Sequence, residues 1–266
     1  MRDLLYKDLT YAIRQCVFDV HNEVGVGYDE ETYHQGLIRK FGKDGIAFSS
    51  KEKFHLMHRG ILVREFALDF LLEDKVILAL KSLLCDFLQA NHVQLFTELK
   101  LWKKHLGLLV NFGLPKVKIV RRIYDDKPFA VEENYDHIKG RMTDDERQIL
   151  KKVRDAILFI GESHGLGFGK SVVRQLVEAE FAYQQIQNEK DIPVPVNYLG
   201  EIIRIYRMRH LLIEKRLVCG ITALQDAVTY HDVSKIKSYL RALKLQIGLA
   251  VNFGKSKLEI KGVCGD

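Results

Sequence analysis

Apolar residues between Leu9 and Val24 recur every three or four positions, which predicts an amphipathic helix that ends at the glycines after Val24. A second helix is predicted over 29–41. Strands are predicted over 47–58, 61–73 and 75–81, and the last contains the run VILAL, typical of a buried central strand. A third helix over 88–104 precedes two strands, LGLLVNF and VKIVRR. This order of elements predicts an α/β or α+β domain built on one mixed sheet.

The same order of elements occurs twice. Residues 107–113, GLLVNFG, match residues 248–254, GLAVNFG, at six of seven positions, and the glycine turn at 25–27 aligns with that at 165–167. The polar segment 124–142 is predicted to be a linker, and Thr143 and Glu146 form a capping box that starts the next helix. We therefore expect two similar domains, 1–123 and 143–266, each with a mixed central sheet flanked by helices.

The basic excess lies in the second copy. Residues 1–140 carry 21 basic and 20 acidic side chains, whereas 141–266 carry 20 and 15, which gives the formal net charge of +6. Arg121 and Arg122 in the first copy, and Arg207 and Arg209 in the second, are candidates for phosphate contacts. A charged strand edge explains these clusters equally well. The charge pattern therefore allows DNA or RNA as a partner without requiring either.

Composition excludes several other classes. No run of about 18 apolar residues occurs, so a membrane span is not expected. The four cysteines are scattered without a CxxC pair, which favours reduced thiols and a cytoplasmic location. The segment HGLGFGKS at 164–171 lacks the first glycine of a phosphate-binding loop and follows a helix, so we interpret it as a turn between helices.

Charged residues meet at the ends of two strands joined by a hairpin in the first copy. Asp69 lies late in the predicted strand 61–73, Lys81 ends the strand 75–81, and Glu30 begins the second helix. Carboxylates beside a lysine are an arrangement that holds a divalent metal ion and activates water.

These residues carry a family resemblance. Gly27, Glu30 and Tyr33 match the signature of the GxxExxY family, a branch of the PD-(D/E)XK nuclease superfamily. Asp69, the hairpin LLEDKVI, Lys81 and the segment LGLLVNFG follow in the family's order, so the first copy resembles the family over about residues 5–122.

The resemblance implies a restriction-endonuclease-like fold and cleavage of phosphodiesters with Mg²⁺. Asp69, Glu30 and the carbonyl of Leu80 would then hold the ion. Lys81 would position water or steady the phosphate, and Gln94 would orient the site.

The first copy departs from the family at Ala79, where the family has a glutamate that binds the metal directly. The first site is therefore expected to be impaired, with nuclease activity absent or very weak, and Ala79→Glu should increase metal binding. Glu65 and Asp86 are conceivable substitutes, although neither lies at a position that the pattern justifies. Asn91 stands where the family usually has histidine.

The second copy departs further. Lys170 stands at the position of Glu30, Val173 at that of Tyr33, Thr222 at that of Lys81, and either His210 or Arg209 at that of Asp69. We expect a structural or binding pseudodomain. The alternative function for the whole chain is a non-enzymatic module that binds nucleic acid, or a scaffold for another protein or for self-association.

Overall fold

The computed structural model describes residues 5–125 and 130–265. The chain divides into two units. The first comprises Met1–Leu56 and Arg64–Asp126, and the second comprises Met57–Val63 and Lys127–Asp266.

The first unit is built on a five-stranded mixed sheet in the order β1-β4-β5-β6-β7, in which only β5 and β6 are parallel. Strands β2 and β3 form a separate two-stranded sheet. The elements of this part of the chain are α1 (Lys7–Val24), α2 (Glu30–Asp44), β1 (Phe48–Ser50), β2 (Lys53–His58), β3 (Ile61–Ala67), β4 (Phe70–Leu72), β5 (Val76–Lys81), α3 (Gln89–Leu101), β6 (Leu106–Asn111) and β7 (Lys118–Ile123).

The prediction of single strands over 47–58 and 61–73 is wrong. Each segment divides into two strands that belong to different sheets, because the chain leaves the main sheet after β1 and returns to it at β4. Lys51 adopts a left-handed conformation (φ 56°) at the first break, and the Leu68 N–H donates to the Glu52 carbonyl across both breaks. Asp69 therefore lies at the junction of β3 and β4 and not within a strand.

The two faces of the main sheet pack against different helices. Val76, Leu78 and Leu80 share a buried cluster with residues of α1 and α2. On the opposite face, a Cβ added to Gly107 would lie 2.7 Å from Leu95 of α3. Because side chains alternate along a strand, Ala79 points to the α3 face.

The second unit has the same kind of mixed sheet, in the order β8-β15-β14-β13-β12-β9, with β13 and β14 parallel at its centre. Strands β10 and β11 form a separate two-stranded sheet. The elements of this part of the chain are β8 (Val131–Asn134), α4 (Asp144–His164), α5 (Lys170–Tyr183), β9 (Asn188–Glu189), β10 (Ile192–Tyr198), β11 (Glu201–Met208), β12 (Leu211–Ile213), β13 (Leu217–Ala223), α6 (Tyr230–Leu243), β14 (Ile247–Phe253) and β15 (Leu258–Cys264).

The segment predicted as a linker contains a strand. β8 pairs in parallel with β15, and Glu133 in β8 forms a bidentate ion pair with Arg154 of α4 at 2.7 Å. Its partner strand lies far along the chain, so the local sequence pattern gave no sign of it. Pro128 falls outside the described residues, and the domain boundaries at 123 and 143 stay predictions.

Two further predictions are confirmed. The capping box of α4 is present, with the Thr143 N–H donating to Glu146 Oε2 at 2.8 Å and the Glu146 N–H donating to Thr143 Oγ1 at 3.3 Å. The two mixed sheets flanked by helices match the predicted fold class. Of the described helices, none is both long and apolar enough to cross a membrane.

Candidate active site

Asp69 is held by three contacts beside the end of β5. Its Oδ2 accepts a hydrogen bond from the Leu80 N–H at 2.8 Å, and its Oδ1 lies 3.3 Å from Lys51 Nζ. Its backbone carbonyl lies 3.2 Å from Nε2 of the buried His34. The side chain is 19% exposed, so the carboxylate is fixed in place and still reachable from solvent.

Lys81 and Glu30 lie next to this carboxylate. Lys81 Nζ is 3.4 Å from Glu30 Oε2, and the lysine side chain is mostly buried, whereas Glu30 is half-exposed. Ser82 Oγ donates to the Tyr28 carbonyl at 2.6 Å, which ties the start of α2 to the end of β5. The structure therefore pairs Glu30 with Lys81, which directly follows the residue whose N–H binds Asp69.

Gly27 and Tyr33 of the signature have structural roles. Gly27 adopts φ 99°, a conformation that favours glycine, in the turn between α1 and α2. Tyr33 is fully buried, donates to the Gly25 carbonyl at 2.9 Å and stacks on Phe112 with ring centroids 4.5 Å apart. These two residues fix the turn that precedes α2 and thereby position Glu30.

Gln94 reaches the site through a residue that the sequence pattern did not single out. Its Nε2 donates to Glu98 Oε1 at 2.8 Å, one turn further along α3. Glu98 is 3% exposed, a burial that is rare for a glutamate. Burial has the largest effect and raises the pKa of Glu98 to about 7. The hydrogen bond from Gln94 and the charge of Lys81 act to lower this pKa, whereas the charge of Asp69 raises it. Glu98 therefore lies within electrostatic reach of Asp69 and Lys81.

Glu98 lies on α3, the helix that packs against the face of the sheet to which Ala79 points. Leu95, one turn before Glu98, packs over Gly107 of β6, so this side of α3 faces the sheet. Ala79 is buried on the same face of the sheet and contributes only a methyl group. The helix therefore provides a buried carboxyl within electrostatic reach of Asp69 and Lys81, whereas the strand provides none at position 79.

The two acids that the sequence suggested as substitutes lie elsewhere. Glu65 lies on β3 and pairs with Lys53 at 2.9 Å and with His55 at 2.8 Å, both of which lie on β2. Asp86 is exposed and paired with Lys118. Asn91 accepts a hydrogen bond from the Leu88 N–H at 2.8 Å and so caps α3.

The donors near Asp69 are of the type that Mg²⁺ prefers, namely carboxylate and carbonyl oxygens. Within the described residues, Glu98 forms no ion pair, and its raised pKa marks a buried carboxyl that a bound cation would stabilise in the charged form. No group of three or more His, Cys, Asp or Glu is placed to hold a metal ion among these residues. Two carboxylates, those of Asp69 and Glu98, and the carbonyl of Leu80 are the oxygen donors that would hold such an ion.

The matching positions of the second unit can be assigned from the strand register. His210 lies one residue before β12, as Asp69 lies one residue before β4, and the two hairpins pair in the same register. This places His210, and not Arg209, opposite Asp69. A Cβ added to Gly220, which matches Ala79, would lie 2.7 Å from the ring of His210, so this neighbour of His210 has no room for a side chain.

The remaining matching positions carry positive or neutral side chains. Lys170 begins α5 where Glu30 begins α2. Counted from the N-caps of α6 and α3, Lys235 matches Gln94, and Tyr239 matches Glu98. Burial lowers the pKa of His210 to about 4, and Lys235 and Lys170 lower it further, so the imidazole is neutral near pH 7.

The predicted phosphate-contacting arginines differ in their availability. Arg121 donates to the Leu5 carbonyl at 2.8 Å, and Arg122 donates to the Arg121 carbonyl at 3.2 Å, so both are partly engaged within the first unit. Arg207 is exposed on β11 and donates to the Asp191 carbonyl at 3.3 Å. Arg209 lies beyond the end of β11 and lines a small cavity with Lys170.

Comparison with known proteins gives one family. The family model described as the PD-(D/E)XK nuclease superfamily matches residues 7–123 and again residues 147–263. The two matches follow the internal repeat and cover most of the chain. No curated protein and no solved structure matched the chain.

Proposed function

The chain belongs to the PD-(D/E)XK nuclease superfamily, and on that premise we propose that its first unit cleaves phosphodiester bonds of a nucleic acid with Mg²⁺, whereas its second unit does not cleave. The observation that carries the proposal is the buried carboxyl of Glu98, hydrogen-bonded by Gln94 and within electrostatic reach of Asp69 and Lys81. It supports a second acidic ligand in a site where Ala79 supplies none. For this reason we propose cleavage in place of the absent or very weak activity that Ala79 alone predicts.

Asp69, Glu98 and the Leu80 carbonyl would hold the ion, which when bound lowers the pKa of water and offsets charge on the phosphate. The Leu80 N–H orients Asp69 through Oδ2, and Lys51 offsets the charge on Oδ1. Gln94 orients Glu98 by donating to Oε1. Each acid is therefore positioned by a donor of this chain before any ligand arrives.

Lys81 is the residue that would face the substrate. Glu30 holds its ammonium group at 3.4 Å on the partly open side of the site. A positive charge fixed there favours the negative charge that develops on a phosphate during cleavage. Glu30 thus acts as a positioning residue for Lys81, which gives it a role besides that of a metal ligand.

A second candidate function is binding of nucleic acid without cleavage. Two observations favour it. Both carboxylate oxygens of Asp69 already have partners, and no group of three acids or histidines surrounds a metal position in the described part of the chain. The choice between DNA and RNA, further protein partners and the cytoplasmic location stay predictions.

Cleavage assays distinguish the two functions. The full chain is incubated with end-labelled single-stranded DNA, double-stranded DNA and RNA, with Mg²⁺ or with a chelator. We expect Mg²⁺-dependent cleavage that falls at least about 100-fold in Asp69→Asn, because removing a direct ligand of the ion costs more than removing a residue that only orients a ligand. Asp74→Asn, which alters an exposed carboxylate paired with Lys104, is the control that should retain activity. Equal amounts of cleavage product from all variants, with Mg²⁺ and with the chelator, would contradict cleavage by this site and leave binding of nucleic acid as the function.

A further inference from the structure

The second unit carries a basic cluster at the position where the first unit carries acids. Lys170, Arg174 and Arg209 line a small cavity together with His210. Lys235 lies close enough to lower the pKa of both His210 and Lys170. Three cationic side chains thus line the cavity around one neutral imidazole, and Lys235 adds a fourth positive charge nearby.

These cations have few partners of their own. Within the described residues, Lys170, Arg209 and Lys235 form no ion pair, whereas Arg174 pairs with Glu178 at 3.1 Å. Asp232 is the acid whose charge reaches both Lys170 and His210. Burial lowers the pKa of Lys170, and repulsion from Lys235 and Arg174 lowers it further. Such crowding of like charges destabilises the empty site and would be relieved by an anion.

The size of the cavity limits what enters it. Its volume is about 10 Å³, which is close to the minimum for a single water-sized group. One phosphate oxygen fits such a space, whereas a base or a sugar does not. The floor is apolar, since Cys219 and Ile221 of β13 line it with Leu211, so recognition would rest on charge at the rim.

We propose that this cluster of the second unit is a phosphate-binding site that holds a backbone phosphodiester of a nucleic-acid strand. Arg and Lys contacts to phosphate carry no sequence information, so the site would position a strand without selecting its bases. Binding here needs no metal ion, because fixed cations take the place that an ion would occupy beside carboxylates. The proposal does not depend on cleavage by the first unit.

Two titrations in metal-free buffer test the site on the full chain. In the first, sodium phosphate is compared with sodium chloride at equal ionic strength, and the imidazole resonances of His210 are followed by NMR. In the second, a fluorescent single-stranded oligonucleotide is followed by anisotropy over a range of salt concentrations. The test variant is Lys170→Gln with Lys235→Gln, and the control is Lys151→Gln with Lys152→Gln, which alters two exposed lysines of α4.

We expect phosphate to shift the His210 resonances in the wild type and the control and not in the test variant. The log–log salt slope of oligonucleotide binding should fall by about 1.4 in the test variant, if both lysines contact a single strand at about 0.7 per contact. Phosphate binding with an unchanged oligonucleotide slope would overturn the nucleic-acid assignment and indicate a small phosphate ester. Equal behaviour of test and control variants would overturn the site itself.

A folding defect would not obscure the result. Arg209→Gln changes an exposed side chain outside the helices and strands. It should reduce both the phosphate-induced shift of the His210 resonances and the affinity for the oligonucleotide. Thermal unfolding of each variant, followed by circular dichroism, confirms that the comparison is between folded proteins.

Discussion

The two units place different charges at the same positions of one fold. In the first, the residues are Glu30, Asp69, Glu98 and Lys81, and Lys81 Nζ lies 3.4 Å from Glu30 Oε2. In the second, the matching residues are Lys170, His210, Tyr239 and Thr222. The site lies where strands end and a helix begins, so its residues can change without disturbing the sheet.

The cores of the two units have changed much less. Phe41 and Phe181 are both fully buried near the ends of α2 and α5. Phe112 directly follows β6, Phe253 is the last residue of β14, and both are buried. Burying a large aromatic side chain stabilises a fold by several kcal/mol, so these positions resist change. The comparison teaches that the fold and the site respond to separate constraints within one chain.

The largest effect is expected from giving the first site a residue of the second. Lys81→Thr introduces the side chain found at Thr222 and removes the cation that would face the phosphate. Cleavage should fall by about 10²–10³-fold, equivalent to about 3–4 kcal/mol. Single-turnover assays at saturating enzyme measure it, and Lys75→Thr, a change in the exposed β4–β5 turn, is the control. An unchanged rate would remove Lys81 from the mechanism.

The two units should respond to pH in opposite directions. Burial raises the pKa of Glu98 from 4.5 to about 7, so its contribution to stability is fully present below pH 4.5 and is lost as pH rises to about 7. Burial and nearby lysines lower the pKa of His210 from 6.5 to about 4, so its contribution is present above pH 6.5 and is lost as pH falls to about 4. Each contribution changes the free energy of unfolding of its own unit by about 3 kcal/mol over its pH range.

NMR titration of the two side chains in metal-free buffer measures both pKa values directly. Urea unfolding of Glu98→Gln and His210→Gln, monitored by resonances of each unit, should remove the corresponding pH dependence and leave the other unit's unchanged. Ordinary pKa values for both groups would contradict the burial described for them.

A smaller effect is expected at Tyr33, which the second unit replaces with Val173. Tyr33→Phe removes the hydrogen bond to the Gly25 carbonyl and keeps the ring stacked on Phe112. The free energy of unfolding of the first unit should fall by about 1 kcal/mol, measured by urea unfolding, while metal affinity stays the same. A loss of metal binding without a loss of stability would instead assign Tyr33 to the site.

The sequence predicted the helices, the central strands and the repeat, and it singled out three candidate residues of the first site. Asp69, Lys81 and Glu30 were found because strand ends and a helix start are visible in local patterns. Glu98 was missed because apolar residues surround it on several sides of α3, from Leu95 to Leu101, so the pattern does not tell which face is buried. Its one sequence signal is the spacing of four residues from Gln94, which places both side chains on one face.

The missed strand β8 has a different cause. Its four residues include two glutamates and an asparagine, and it pairs with β15, more than 120 residues away. Local patterning cannot report such a partner. The same limit explains the strands predicted over 47–58 and 61–73, which the structure divides between two sheets.

Metal titration of matched variants tests the central claim, that Glu98 supplies the acid that Ala79 lacks. Calorimetry with Mg²⁺ alone is carried out on the wild type, Glu98→Gln, the exchange variant Ala79→Glu with Glu98→Gln, and the control Glu65→Gln. We expect binding by the wild type and the control, and recovery of binding in the exchange variant. Glu98→Gln should lose at least about 100-fold in affinity, because removing a direct ligand costs more than removing a residue that supports one. Equal affinity of the wild type and Glu98→Gln, or no binding by the wild type, would contradict the account.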